Sequence, residues 1–396
     1  MFVPCFLSKI HTMFSKVLGL KSASTQAQVV PESSFEGPVY LISMAGFPNY
    51  GDELIAARWL HFLAEHHPDV DVWLDVREPG TVASLLKGIH PRLHITNTLF
   101  RAIHEHVHGL NRTPAELVRD LGSPKFDVGL LELREATTIH LLGGGFVNAI
   151  WQENTLLVDA MRAAREISGA RLLATGQGLM PRVPEDFHDF EYVSVRDQAS
   201  ADSLGIARGY DDAYLVTGVP TFSEQSYTPE ESELYICIQN DALDENAHTQ
   251  LISYAKAQIE KLGIPREKTF YVEAIPGDDY AGYASLREYI SEDNGFIPFA
   301  HFWRSGFRFA PHQVWLTTRF HHHLVGSMHG ARGIALSGKV GYYDVKHGSL
   351  ADTGTRWKVP TDLTRTYSFD DLESPLPSAQ QIQIKNKEAQ QLYTAK

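Results

Sequence analysis

From Val39 onward, short runs rich in β-branched and aromatic residues alternate with segments whose apolar residues recur at helical spacing. This alternation constrains the fold more than any other feature, because parallel strands must be joined by crossovers and the crossovers are usually helices. Strands are predicted at 39–44, 70–76, 93–96, 138–142, 172–175, 192–195 and 213–216. Among the helices between them are 52–66, where Leu54, Ile55, Ala57, Leu60 and Leu63 share a face, and 156–168. A Thr-, Ser-, Glu- and Pro-rich stretch, 220–233, lacks periodicity and reads as a crossing between lobes. Beyond it, strands are predicted at 234–239, 269–274, 314–318 and 340–343, with helices at 247–262, 280–291 and 322–337. A polar helix near 379–393 is expected to close the chain and pack back over the first lobe.

With 396 residues the chain exceeds the ~250–300 at which a single core stops growing. The expected division is a flexible N-terminal segment (1–37), an N-terminal lobe (38–219), a C-terminal lobe carrying the ligand site (220–375) and a C-terminal helix and tail (376–396). Residues 1–20 mix apolar residues with Lys9 and Lys16, so an interfacial amphipathic helix is an alternative to a frayed leader. No apolar run approaches the ~20 residues that span a bilayer. A net charge of −13 argues against nucleic acid as a partner, so any bound anion needs a locally positive pocket. Cys5 and Cys237 are too far apart in sequence for a metal or redox motif, and a cytoplasmic location is expected.

In open parallel sheets, ligands collect beyond the carboxyl ends of strands, where helix N-termini present N–H groups. Four such turns carry candidate residues. Asn49-Tyr50-Gly51-Asp52 follows the first strand, with Gly51 suited to a positive φ, Asp52 to capping, and Asn49 and Asp52 to sugar hydroxyls. Gly143-Gly144-Gly145 follows a buried strand and can let the backbone approach a ligand closely as an anion-binding nest, with Gly144 and Gly145 as its expected ligand-binding residues. Gly176-Gln177-Gly178 reads equally well as a tight turn. Ser194-Val195-Arg196-Asp197, with Ser200 following, offers a planar cation for phosphate or carboxylate, unless Arg196 is bridged to Asp197 or Asp202. Asp211-Asp212 is the weakest candidate and reads as a turn.

Arg319-Phe320-His321-His322-His323 is the richest segment, at a strand-to-helix junction. Adjacent helical histidines point in different directions and no H-E-x-x-H pattern accompanies them, so no metal is expected. His321 beside arginines suits general acid work on an anionic substrate, and Lys346 offers a further positive contact. Phe146, Trp151, Trp303 and Phe320 could stack on a sugar or belong to the core.

The order Asn49-x-Gly51-Asp52, Gly143-Gly144-Gly145, Gly176-Gln177-Gly178, Ser194-Val195-Arg196-Asp197-x-x-Ser200 and Arg319-x-His321 resembles the polysaccharide pyruvyl transferase family. The resemblance implies a GT-B-like fold of two Rossmann-like lobes, phosphoenolpyruvate as donor and a sugar of a glycan or its lipid-linked precursor as acceptor, with no cofactor. It implies His321 as general acid, and Arg196, Arg319 and Lys346 as holders of the donor's phosphate or carboxylate. Asn49, Asp52, Gln177 and Ser194 are then expected toward the acceptor or cleft, and peripheral contact with the inner membrane surface stays open. Two rival readings remain: a glycosyltransferase of the same shape using a nucleotide sugar, and a non-catalytic glycan-binding protein.

Overall fold

The computed structural model describes Phe35 and residues 37–394, except 123, 183–186, 224, 242 and 339–342. Strands β1 (Val39–Ile42), β2 (Val72–Asp75), β3 (Leu93–Thr96), β4 (Thr138–Leu141), β5 (Arg171–Gln177) and β6 (Tyr192–Val195) form one sheet ordered β3-β2-β1-β4-β5-β6. Every pairing in it is parallel. Strands β7 (Glu233–Cys237), β8 (Thr269–Val272), β9 (Phe296–Ile297), β10 (Gln313–Thr317) and β11 (Arg332–Ala335) form a second parallel sheet ordered β11-β10-β7-β8-β9. Counted from its own first strand, the second sheet repeats the doubly wound order of the first. These are two Rossmann-like lobes in the GT-B-like arrangement. Helices cover both faces of each sheet, which is why β1, β4, β10 and β11 are buried along their whole length and lack a polar alternation.

Several elements depart from the sequence pattern for local reasons. Residues 213–216 are not a strand. The Asp211 side chain accepts from the Ala213 amide (2.8 Å) and turns the chain into a 3-10 helix, Asp212–Tyr214. The apolar pattern 322–337 divides into a helix, Phe320–Met328, and strand β11, because Gly330 adopts φ +87° between them. The helix expected at 280–291 stops at Leu286 and continues as the 3-10 turn Arg287–Tyr289. Of the strand expected at 340–343, residues 340–342 lie outside the described residues and Tyr343 begins a helix, Tyr343–Leu350. The flexible segment and interfacial helix expected before residue 38 also lie almost wholly outside them. Phe35 is described: its amide donates to the Thr394 carbonyl (2.8 Å) and its ring packs edge-on against Tyr393. Residues 219–232 carry no helix or strand among those described. No helix among the described residues is long and apolar enough to cross a membrane.

The last helix, Ala379–Leu392, returns to the first lobe through buried charge. Lys385 Nζ lies 2.6 Å from Asp212 Oδ1 and 2.7 Å from Glu388 Oε1, with all three side chains withdrawn from solvent. Asp212 Oδ2 also accepts from Trp59 Nε1 (2.8 Å), the Gly143 amide (2.8 Å) and Thr175 Oγ1 (2.7 Å). Glu388 accepts from Ser194 Oγ (3.1 Å). Burial opposes a charge on Lys385, but Asp212 and Glu388 outweigh it and hold its pKa above the ordinary lysine value. Lys385→Met leaves two carboxylates buried without a cation and should cost about 3–5 kcal/mol. Urea denaturation checks this, and a loss below about 1 kcal/mol would mean that the cluster is solvated.

Candidate active site

The strand order reverses beside β1 and β4 in the first lobe and beside β7 and β10 in the second, and ligands of doubly wound sheets bind at such points. Between the two lies a cavity of about 440 Å³, lined by Asn49, Gly51, Asp52, Gly145 and Arg196 from one lobe and Arg319, His321 and Lys346 from the other.

Asn49, not Asp52, caps the helix Tyr50–His66: its backbone is extended, and its Oδ1 accepts from the Gly51 amide (3.2 Å). Its Nδ2 donates to Asp52 Oδ2 (2.7 Å), which fixes Asp52 in the first turn, facing the cavity. Burial pushes the Asp52 carboxyl up, opposed by the charges of His321, Arg196 and Lys346. Gly51 lies inside the helix and its role is close approach rather than a positive φ: a Cβ there would fall 1.8 Å from His321 Nδ1. The second lobe's histidine ring thus rests on bare backbone of the first.

His321 is the second residue of the helix Phe320–Met328. Its Nε2 lies 3.3 Å from Asp211 Oδ1, and Asp211 Oδ2 accepts from Arg196 Nη1 (2.7 Å). Asp211 is 2% exposed, so this carboxylate survives only because cations meet it. Burial raises its pKa, but His321 and Arg196 outweigh that and hold it below the usual range. The Arg196 guanidinium is flanked by Gly145 and Gly178, where a Cβ would come within 2.9 Å of it, and lies 4.5 Å from the Phe320 ring centroid. A Cβ on Gly145 would also meet Lys346 Nζ at 3.1 Å, so two cations converge on one point of backbone. Burial first, and then Arg196, push the Lys346 ammonium well below its ordinary pKa.

The remaining expected residues sort unevenly. Arg319 lines the cavity, but its guanidinium is paired with Asp279 (Nε to Oδ1, 3.0 Å) and with Asp241 (2.6 Å). Gly144 does not line the cavity; its carbonyl accepts from the Gly178 amide (2.8 Å). Gln177 and Ser194 also turn away. Gln177 Nε2 is spent on the carbonyls of Leu141, Leu142 and Thr175, and Ser194 on the Gly176 amide and Glu388. Arg196 is paired with Asp211, and Asp197 caps the helix Gln198–Leu204 by accepting from the Ser200 amide. His322 packs among Tyr50, Phe302 and Trp315, and His323 faces His347 Nδ1 (3.2 Å). The three histidines therefore diverge, and no group of three metal-ligating side chains occurs among the described residues. Phe146, Trp151 and Phe320 line the cavity, whereas Trp303 does not. Asp211 is the residue that the sequence reading undervalued; the signal was a doubled carboxylate ahead of an apolar run.

A two-lobed α/β enzyme with a cationic cleft and a carboxylate-held histidine is what fold and site define together. The family model for polysaccharide pyruvyl transferases matches residues 49–339, and the chain belongs to that family. Among solved structures, it is similar to a protein described as a UDP-N-acetylglucosamine 2-epimerase from Listeria monocytogenes (11% identity, 90% of this chain and 91% of that one, TM-score 0.47). It is also similar to the UDP-N-acetylglucosamine 2-epimerase of Neisseria meningitidis (11%, 89% and 93%, 0.43) and to MurG of Acinetobacter baumannii (10%, 90% and 95%, 0.37). No curated protein matches the chain.

Gly51→Ala should leave the helix intact, since alanine favours helix over glycine by about 1 kcal/mol, yet displace the His321 ring. A crystal structure of the variant with His321 still 3.3 Å from Asp211 would contradict the close-approach role. Glu53, next to Asp52 in the first turn of its helix, accepts from the Gly46 amide (2.7 Å), with Oε2 buried and unbonded. Burial pushes its carboxyl up to about 8. A raised folded pKa favours the fold fully below the unfolded value, and that stability is lost as pH climbs toward about 8. Glu53→Gln should remove this decline, on the order of a few kcal/mol, from denaturation curves measured across that range.

Proposed function

We propose that the protein transfers the pyruvyl group of phosphoenolpyruvate onto two hydroxyls of a sugar in a polysaccharide or its precursor, closing a pyruvate ketal. The carrying observation is the convergence of Arg196 and Lys346 on Gly145 in the cavity that also holds His321. Phosphoenolpyruvate bears close to three negative charges, and in a protein of net charge −13 such a site must be assembled locally. Family membership supports the same reading.

In this scheme Arg196 and Lys346 hold the donor's phosphate or carboxylate. Arg319, already met by two carboxylates, positions more than it neutralises. His321 gives a proton to the donor's methylene carbon, leaving the adjacent carbon electron-poor, and a sugar hydroxyl attacks that carbon. Asp52, which lines the same cavity, accepts the hydroxyl proton in this scheme. Departure of phosphate and attack by a second hydroxyl close the ketal; one hydroxyl proton restores His321 and the other leaves on the phosphate, so one donor and two hydroxyls give one ketal and one hydrogen phosphate. No metal or redox step enters. Asp211 orients His321 and keeps a negative charge beside it. This reading keeps the reaction in the cytoplasm, with contact at the inner membrane surface where the acceptor is lipid-linked.

Phosphoenolpyruvate should raise the melting temperature of the wild type. Lys346→Met should weaken donor binding by about tenfold or more, whereas His321→Ala should bind the donor yet lose about 10²–10⁴ in acceptor-dependent phosphate release. Protection by UDP or GDP, with none by phosphoenolpyruvate, would overturn the assignment in favour of a nucleotide-sugar transferase.

A further inference from the structure

A second and larger cavity, about 660 Å³, opens between the lobes along one face of the helix Tyr50–His66, where Tyr50, Leu54, Ala57, Arg58 and His61 recur at helical spacing. Its far wall comes from the segment around Trp303–Phe309 and from the helix Phe320–Met328 with His329. Only Tyr50 is common to this cavity and the donor cavity. Its size falls within the roughly 300–1,000 Å³ usual for small-molecule sites.

The lining has an unusual chemistry. Apart from the Tyr50 hydroxyl and the Trp303 indole N–H, which donates to the Leu85 carbonyl (3.2 Å), the polar side chains in it are basic: Arg58, His61, Arg308 and His329. No carboxylate, amide or aliphatic hydroxyl contributes. Arg58 is half-buried, yet no carboxylate is bonded to it among the described residues, and its Nε is buried without a hydrogen-bond partner. Glu65, two turns further along the same helix, accepts instead from Thr217 (3.3 Å). Arg196 and Arg319, buried in the donor cavity, are each met by carboxylates. Burial, opposed only by Tyr50, lowers the Arg58 pKa, and burial followed by Arg58 lowers those of His61 and His329. A withdrawn guanidinium without an anion is costly, so the cavity is built for a counter-charge that the chain does not supply.

The rest of the wall decides which anion fits. Trp303, Phe307, Leu85 and Ile89 offer apolar surface. A sugar or nucleoside would bring hydroxyls and base edges needing acceptors, and the lining side chains provide almost none. A hydrocarbon chain ending in phosphate satisfies both halves of the site. We propose that this cavity binds an isoprenyl diphosphate or closely similar amphiphilic phosphate, its head at Arg58 and Arg308 and its chain against Trp303, Leu85 and Ile89. The assignment does not rest on the reaction proposed for the neighbouring cavity. Occupancy bears on that cavity through Tyr50, whose ring packs on Phe302 and His322 (centroids 4.8 and 5.5 Å).

The probe is geranyl diphosphate, kept below its aggregation range and titrated calorimetrically into the full chain, with inorganic diphosphate and geraniol as the two halves. Geranyl diphosphate should bind the wild type and each half should bind at least about tenfold more weakly. Arg58→Gln and Arg308→Gln should each weaken it about fivefold or more, while Lys346→Met, in the donor cavity, should leave it unchanged. Equal affinity for inorganic diphosphate would reduce the site to a bare anion patch, and equal affinity for geraniol to a greasy cleft. Either result overturns the proposal, as does absence of binding or binding abolished by Lys346→Met alone. Should Arg58→Gln fail to fold, Arg308→Gln decides, because Arg308 is exposed at the cavity. Phosphoenolpyruvate binding is measured separately, so failure here leaves the donor assignment standing.

Discussion

Two consecutive carboxylates, Asp211 and Asp212, are buried where the chain leaves the first lobe, and each has to be met by cations from distant parts of the sequence. Asp212 faces inward. It gathers Trp59, the Gly143 turn, Thr175 and Lys385, and so locks the first helix, two strand ends and the last helix to one another. Asp211 faces the cavity and gathers Arg196 from its own lobe and His321 from the other. One 3-10 turn therefore fixes both the first lobe's interior and the geometry of the cleft.

Charge in the cleft is arranged by pairing rather than by accumulation. Arg319 is held by Asp241 and Asp279, Arg196 by Asp211, and the Asp52 carboxyl faces His321, Arg196 and Lys346. A highly anionic donor entering such a site meets Arg196 and Lys346 already side by side against Gly145. That preorganisation matters more than the number of cations, because the cost of bringing two like charges together is met in folding rather than in binding. Glycine is required at 145 for the same reason as at 51: a functional side chain occupies the space where a Cβ would be.

Much of this was legible from pattern. Strands β3 and β6 and the helix Leu156–Ser168 coincide with their predicted bounds, and most other strands differ by a residue or two at their ends. The failures share a cause. Residues 213–216 and 322–337 read as continuous elements because their apolar periodicity is continuous, but a side-chain-to-amide bond at Asp211 and a left-handed Gly330 break them locally. The site shows the same division. Residue types at strand ends located Asn49, Asp52, Gly145, Arg196, Arg319, His321 and Lys346 in one cavity. Partnership was not legible: nothing in the sequence joins Asp211 to His321, and Gln177 and Ser194, set in turns of the same kind, spend their polar atoms within the first lobe. Gly51 was marked for the wrong property, since tertiary contact rather than backbone conformation demands it.

The last helix ties the far end of the chain to the first lobe. The first lobe's own strands are complete by Val195, yet Asp212 acquires its cation only from Lys385, after the whole second sheet has been laid down. The charge balance of the first lobe's interior is therefore completed from the far end of the chain, so a chain cut before Lys385 would leave Asp212 without that cation even with every strand of that lobe intact.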